Sequence, residues 1–381
     1  MELNPTIPFF RPSITKKDIQ SVAQVLRSHW LTSGPKVNEF EENFKKFTGA
    51  THAVALNSCT AALHLALDCI GLQSGDEVIV PVFTFAATAE VVEYFGAKPV
   101  FVDVRWDTLN IDETKIEKAI TKRTRAIIPV HYAGHPCEMG SIQKLCRKYG
   151  LILIEDAAHS LPALYKDRFI GTISDMTCFS FYANKCITTG EGGMLTTHRK
   201  EWADKIRSLS LHGISRDGWQ RYGQKGNWRY DILYRGYKYN MPDILAALGV
   251  VQLKRANRLY HQRRRIARLY QSLLKDQPQL LCPVELPHCQ HAWHLYTIRL
   301  KENSSIKRDE LFQYLQQKGI KCSVHFIPLH LFSFYKKKYH YKPQDYPVSY
   351  RAFEGVLSLP LYPELTNERI RYIVRKIVDT L

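Results

Sequence analysis

The chain of 381 residues has no run of eighteen or more apolar residues, which excludes a membrane-spanning helix of ordinary length. Its opening, Met1-Glu2-Leu3-Asn4-Pro5-Thr6, lacks the basic start and apolar stretch of a secretory signal, so a cytoplasmic location is expected. No C-x-x-C pair occurs among the nine cysteines, at 59, 69, 137, 146, 178, 186, 282, 289 and 322. So odd and scattered a set argues against a zinc site or a disulfide framework; reduced, mostly structural thiols and no metal are expected. Internal repeats and low-complexity segments are also missing. Acidic residues are the scarce class, 36 against 53 Lys and Arg, for a formal net charge of +17. The basic excess is spread along the chain, its densest clusters, Arg263-Arg264-Arg265 and Lys336-Lys337-Lys338, are short, and no helix-turn-helix, RNA-recognition or zinc-finger pattern accompanies them. It reads as solvated faces plus attraction for an anionic small substrate, with no nucleic-acid partner.

What is present is enough apolar material, 45% of residues, to bury one large core and a smaller second one. Between about 50 and 200, short apolar strands alternate with helical patterns, which predicts an α/β fold with a mainly parallel sheet covered by helices. Strands are expected at Ala53–Leu56, Glu77–Val80, Pro99–Val104, Ala126–Val130, Leu151–Glu155 and Met176–Phe181. Helices are expected at Thr60–Ile70, Ala86–Phe95, Glu113–Ala119, Ser141–Lys148 and Lys200–Leu209. The aperiodic, aromatic-rich stretch from His212 to Tyr237 reads as an ordered functional loop. Beyond it, Pro242–Leu253 and Arg255–Leu273 read as long helices, Trp293–Leu300 and Lys321–Val324 as strands, and Lys307–Lys318 and Asn367–Asp379 as helices. The division expected is a large domain over 1–250, N-terminal segment included, and a small C-terminal α/β domain over 251–381.

Four short motifs carry chemistry. In Ile154-Glu155-Asp156-Ala157-Ala158-His159 an apolar strand runs into a carboxylate at its carboxyl end, where ligands of open α/β sheets bind. Such a carboxylate can hold a protonated ring nitrogen; taken alone, it could equally cap the following turn. Twenty-nine residues later, Ser180-Phe181-Tyr182-Ala183-Asn184-Lys185 precedes a turn with three glycines. A lysine held there in a water-poor cleft can lose its proton and condense with an aldehyde, and Ser180 can donate to a phosphate oxygen. Leu56-Asn57-Ser58-Cys59-Thr60 leads a strand into a helix start, a ready anion site or a plain cap. Phe85, after another strand, offers a ring to stack on a planar group or to join the core.

In that order the four motifs resemble the DegT/StrS sugar aminotransferases, enzymes of fold type I that use pyridoxal 5'-phosphate (PLP), over essentially the whole chain. Pro8-Phe9-Phe10-Arg11-Pro12, Trp30-Leu31-Thr32-Ser33-Gly34-Pro35, Pro129-Val130-His131-Tyr132-Ala133-Gly134, Gly190-Glu191-Gly192-Gly193 and Gly236-Tyr237-Lys238-Tyr239-Asn240 carry the resemblance further. It implies that Lys185 carries the cofactor and moves the proton, Asp156 pairs with the ring nitrogen, His159 lies beside the ring hydroxyl and Phe85 stacks on the ring. Cys59, Thr60 and Ser180 would hold the phosphate, and Lys238 would reach the phosphate of a neighbouring subunit, making a homodimer with shared active sites. Tyr182, Arg229 and His325 are candidate substrate contacts, each with an equally good reading as a packed aromatic or a surface cation.

The implied reaction takes an amino group from L-glutamate, releasing 2-oxoglutarate, and places it on a nucleotide-linked keto-sugar, first a UDP-4-keto sugar, for surface polysaccharide, lipopolysaccharide or glycan synthesis. Lys238, Asn240, His291-Ala292-Trp293-His294 and Val324-His325-Phe326 resemble the branch that makes UDP-4-amino-4-deoxy-L-arabinose. Phe85 and Ser333-Phe334-Tyr335-Lys336 resemble the branch on the pseudaminic-acid pathway, and Asn184 stands where many members have Thr, Val or Ile. The competing readings are a 3-aminotransferase for a dTDP-3-keto sugar, a non-catalytic PLP-fold binding protein, and a PLP enzyme of other chemistry.

Overall fold

The structure, a computed structural model, describes residues 6–215 and 230–381. Helices α1 (Lys16–Ser28) and α2 (Pro35–Thr48) come first. Then β1 (His52–Leu56), α3 (Cys59–Cys69), β2 (Glu77–Pro81), α4 (Ala87–Glu93), β3 (Lys98–Val102), α5 (Glu113–Ala119), β4 (Thr124–Ile127), α6 (Met139–Tyr149) and β5 (Ile152–Asp156) alternate. The short β6 (Leu164–Tyr165) and β7 (Arg168–Phe169) precede β8 (Met176–Ser180), β9 (Gly193–Thr197) and α7 (Lys200–Leu209). The remainder holds α8 (Asp243–Lys254), α9 (Ala256–Leu274), β10 (Leu280–Leu281), β11 (Cys289–Gln290), β12 (Tyr296–Leu300), α10 (Arg308–Gln317), α11 (Ser333–Tyr339), α12 (Pro347–Gly355), β13 (Val356–Leu359) and α13 (Asn367–Val378).

Seven strands form one sheet in the order β1-β9-β8-β5-β4-β2-β3. Pairs β2–β3, β2–β4, β4–β5 and β5–β8 are parallel, while β9 is antiparallel to both β8 and β1, so six strands run one way and β9 alone is reversed. Every residue of β2 and β9 is buried, as expected of strands covered on both faces. The mainly parallel sheet expected from the sequence is therefore present, and the carboxyl ends of β1, β2, β5 and β8 lie along one edge. On one face of this sheet, α2 packs Phe44 against Phe179 and Phe40 against Phe181, both at 5.1 Å between ring centroids. Those contacts anchor the end of β8, from which the chain runs to Lys185.

A second core surrounds the antiparallel sheet β10-β12-β13, where Tyr270, Leu274, Tyr296, Ile298, Leu357, Ile373 and Ile377 are buried together. Two expectations fail here for identifiable reasons. The strand expected from Trp293 starts at Tyr296, because Trp293 has left-handed backbone (φ 52°) and the amides of His294 and Leu295 both turn to the Ala133 carbonyl, at 3.0 and 3.2 Å. Lys321–Val324 is no strand: the segment makes one isolated bridge to Ile7, at Ile320, and one to Ser358, at Ser323, two different neighbours that build no continuous ladder. The expected strand to Val130 also shortens, β4 ending at Ile127.

Candidate active site

The parallel edge opens into a cavity of about 500 Å³ lined by Ser58, Cys59, Thr60, Phe85, Asp156, His159, Ser180, Tyr182, Lys185, His294, His325 and Phe326, among others. That volume lies within the roughly 300–1,000 Å³ usual for small-molecule sites. A larger cleft of about 850 Å³, lined by Trp30, Lys45, Arg207 and Tyr234, contains neither Lys185 nor Asp156, so the chemistry belongs to the smaller space.

One corner is the start of α3. Ser58 caps the helix by accepting the Ala61 amide on its Oγ at 3.0 Å. The cap reading is therefore right for Ser58, and it leaves the Cys59 and Thr60 amides at the first turn, where no intrahelical acceptor exists and the helix dipole favours an anion. Close packing brings β9 against this turn: a Cβ on Gly193 would lie 2.4 Å from the Ser58 carbonyl. Only glycine fits there, which accounts for the end of the Gly190–Gly193 motif.

Asp156 ends β5, the central strand, and is 5% exposed. Thr88 Oγ1 donates to its Oδ2 at 2.8 Å and the Ala158 amide to its Oδ1 at 3.1 Å, fixing the carboxylate plane. Burial pushes its pKa up, against those two donors and the nearby Lys185 charge. A protonated ring nitrogen would supply the opposite charge that favours the ionised form. Lys185 follows β8; burial is the main cause lowering its pKa to about 8, opposed by Cys59 and Asp156. The ammonium therefore gives up its proton far more readily than an ordinary lysine.

Facing these groups is a wall of imidazoles. The rings of His159 and His294 lie 4.3 Å apart between centroids, tilted by 42°, and the Nδ1 of each is buried without a hydrogen-bond partner among the described residues. Burial, then the positive charge of Lys185, lowers the pKa of His159 and takes that of His325 to about 4. His294 is lowered by burial, then by His159 and Lys185. All three are thus neutral near pH 7. His325 Nδ1 lies 2.8 Å from Ser358 Oγ.

A pyridoxal phosphate group fits this arrangement. The helix start suits its phosphate, Asp156 its ring nitrogen, the unpartnered His159 Nδ1 its ring hydroxyl, and Phe85, 63% exposed at the cavity edge, its ring face. Of the residues expected from the sequence, Lys185, Asp156, Cys59, Thr60, Phe85, His159, Ser180, Tyr182 and His325 line one cavity. Lys238 does not line it; its ammonium folds back onto Asn240 Oδ1 of the same chain. Arg229 lies outside the described residues. Sequence reading passed over Thr88, although Thr84 and Thr88 stand one helical turn apart after β2, and over His294 as a cavity residue.

The DegT/DnrJ/EryC1/StrS aminotransferase family profile matches residues 12–378. SpsC of Bacillus subtilis, a spore coat polysaccharide biosynthesis protein, is 46% identical over 378 residues, 99% of this chain and 97% of its own. Spr1654 of Streptococcus pneumoniae in its PLP form superposes with a TM-score of 0.91 at 35% identity, covering 99% of this chain and 100% of its own. PseC of Helicobacter pylori, an aminotransferase involved in the biosynthesis of pseudoaminic acid, gives 0.92 at 31% identity over 98% of this chain and 99% of its own. With Lys185, Asp156 and the α3 start gathered around one cavity, the chain belongs to the DegT/DnrJ/EryC1/StrS aminotransferase family and is a pyridoxal-phosphate-dependent aminotransferase.

Proposed function

We propose that this sugar aminotransferase transfers the amino group of L-glutamate to a nucleotide-linked keto-sugar, a UDP-4-keto sugar first among them, in the synthesis of a surface polysaccharide or glycan. The observation that carries the reading is that Lys185 and Asp156 open onto the same cavity as the α3 helix start. Similarity to SpsC and PseC supports the sugar and polysaccharide setting. The net charge of +17 favours an anionic diphosphate substrate.

In this reading the bound cofactor supplies an electron sink for breaking the carbon–hydrogen bond beside the amino nitrogen. Asp156 keeps the proton on the ring nitrogen, held in plane by Thr88 and Ala158. Lys185 would hold the cofactor through its aldehyde carbon, and its neutral amine would carry the proton that leaves the donor's α-carbon to the carbon on the far side of the amino nitrogen. Phe85 would cover one ring face, His159 would meet the ring hydroxyl, and Cys59, Thr60 and Ser180 would hold the phosphate. Neutral His325 and His294, with Tyr182, offer donors and acceptors suited to sugar hydroxyls, and Arg229 is a further substrate contact. Lys238, exposed and outside its own cavity, is available to a second subunit of a homodimer. Residues 1–250 would form the cofactor-binding domain and 251–381 the smaller one that supplies His294 and His325.

The test is spectroscopic, then synthetic. Added L-glutamate should bleach the visible band of the PLP-loaded enzyme, and a panel of UDP-, GDP- and dTDP-keto-sugars should restore it, a UDP-4-keto sugar fastest. A band unmoved by glutamate would contradict the donor. Restoration by a dTDP-3-keto sugar alone would replace the acceptor.

A further inference from the structure

Behind Lys185 lies a second, very small chamber. Arg263, on α9 and 3% exposed, points its Nη1 at the carbonyls of Trp293, His294 and Leu361, at 3.5, 3.3 and 3.2 Å. Its Nε–H has no acceptor among the described residues. Asn184, the residue before Lys185, has a buried Oδ1 that likewise lacks a partner among the described residues. Both side chains line one chamber, together with Lys185, Thr188, Gln252 and Ser13, with free space of about 10 Å³. Roughly 10–15 Å³ holds a single water molecule and nothing larger.

We propose that one structural water sits in this chamber, accepting from Arg263 Nε–H and donating to Asn184 Oδ1, and that Arg263 and Asn184 are thereby positioning residues for Lys185. The chemistry selects water over an ion. An unpaired buried donor and an unpaired buried acceptor need a species that does both. A halide would satisfy Arg263 while facing the lone pairs of Asn184, and a metal cation would face the guanidinium.

The link gives Lys185 a fixed base and a free arm. On one side Cys186 Sγ contacts the Ala292 carbonyl at 3.8 Å. On the other, Asn184 reaches Arg263 through the water, and Arg263 holds the carbonyls of Trp293 and His294. Both flanks of the lysine are thus docked on residues 292–294, the segment that also presents the His294 ring to the cavity. The backbone stays in register with the imidazole wall while the side chain swings. This rests on the reading of Lys185 as the reactive amine; were that reading wrong, the wild-type enzyme would show no lysine-bound visible band.

A crystal structure of the PLP-loaded enzyme at a resolution that shows waters, with a parallel bromide soak, tests the site. Ordered density about 2.7–3.2 Å from both Arg263 Nε and Asn184 Oδ1, without a bromide anomalous peak, is expected. A bromide peak there, or a direct Asn184–Arg263 contact, would overturn it. The positioning role is read from the pH midpoint of the visible band. The groups around the Lys185 nitrogen (Asp156, Cys59, Cys186, His159, His294 and His325) stay the same across the variants. Asn184→Asp places a carboxylate beside Arg263 and Lys185 and should raise the midpoint by about one unit. Asn184→Val removes the acceptor and the water dipole between the guanidinium and the amine, so it should lower the midpoint and reduce kcat. Identical midpoints in the three proteins would reject the positioning role, since a purely structural contact moves stability alone.

Discussion

The two walls of the cavity are built by different parts of the chain and have opposite electrostatic characters. The sheet-edge wall, made by Cys59, Thr60, Asp156, Ser180 and Lys185, carries one buried carboxylate, one amine near its titration point and a helix start. The wall from the C-terminal half, His294, Val324, His325 and Phe326, carries neutral imidazoles and an aromatic ring. Charged groups at fixed positions suit a constant, charged cofactor. Neutral groups that both donate and accept suit a substrate made of hydroxyls. Under the proposed function, the contrast separates what every turnover shares from what distinguishes one sugar from another.

Substitutions should split along that line. Lys185→Ala is expected to remove the visible band and reduce turnover by more than about 10⁴-fold, the scale of losing a covalent catalytic group. Asp156→Asn should leave a folded, cofactor-binding protein whose kcat falls about 10²–10³-fold, as on loss of one preorganised electrostatic partner. On the opposite wall, His325→Phe should raise KM for the keto-sugar by about tenfold, the equivalent of roughly 1.4 kcal/mol, without altering the visible band. A band lost in His325→Phe, or a sugar KM raised in Asp156→Asn alone, would erase the distinction. The smallest effect is one of pH. Cofactor capture needs the neutral amine, so the rate at which apoenzyme takes up PLP should rise as pH approaches about 8 and level off above it. A rate still climbing at pH 10 would mark Lys185 as an ordinary surface-type lysine.

The sheet-edge wall was legible in the sequence because each of its residues follows a buried strand, and strand ends are local signals. The imidazole wall was only half legible. His294 reaches the cavity through the left-handed turn at Trp293 and the shared Ala133 carbonyl, a long-range pairing that no periodicity announces. The same pairing shortened the strand expected from Trp293. Helices α1 and α2 did leave local marks that were passed over. Thr15 and Asp18 form a capping box, with Asp18 Oδ2 accepting from both the amide and hydroxyl of Thr15, and Pro35 stands in the first turn of α2. Thr88 was hidden differently: a threonine in a buried helix is common, and only the fold shows that it donates to Asp156. Asn184 and Arg263, seventy-nine positions apart, meet only because α9 packs behind the Lys185 turn.

The most direct measurement is to load the enzyme with PLP, reduce it with borohydride so that the lysine–cofactor linkage becomes permanent, and map the labelled peptide by mass spectrometry. The label should fall on Lys185 alone, in the peptide that begins after the preceding basic residue. Label on another lysine, or none on a protein that still transaminates, would contradict the assignment on which the rest of the site depends.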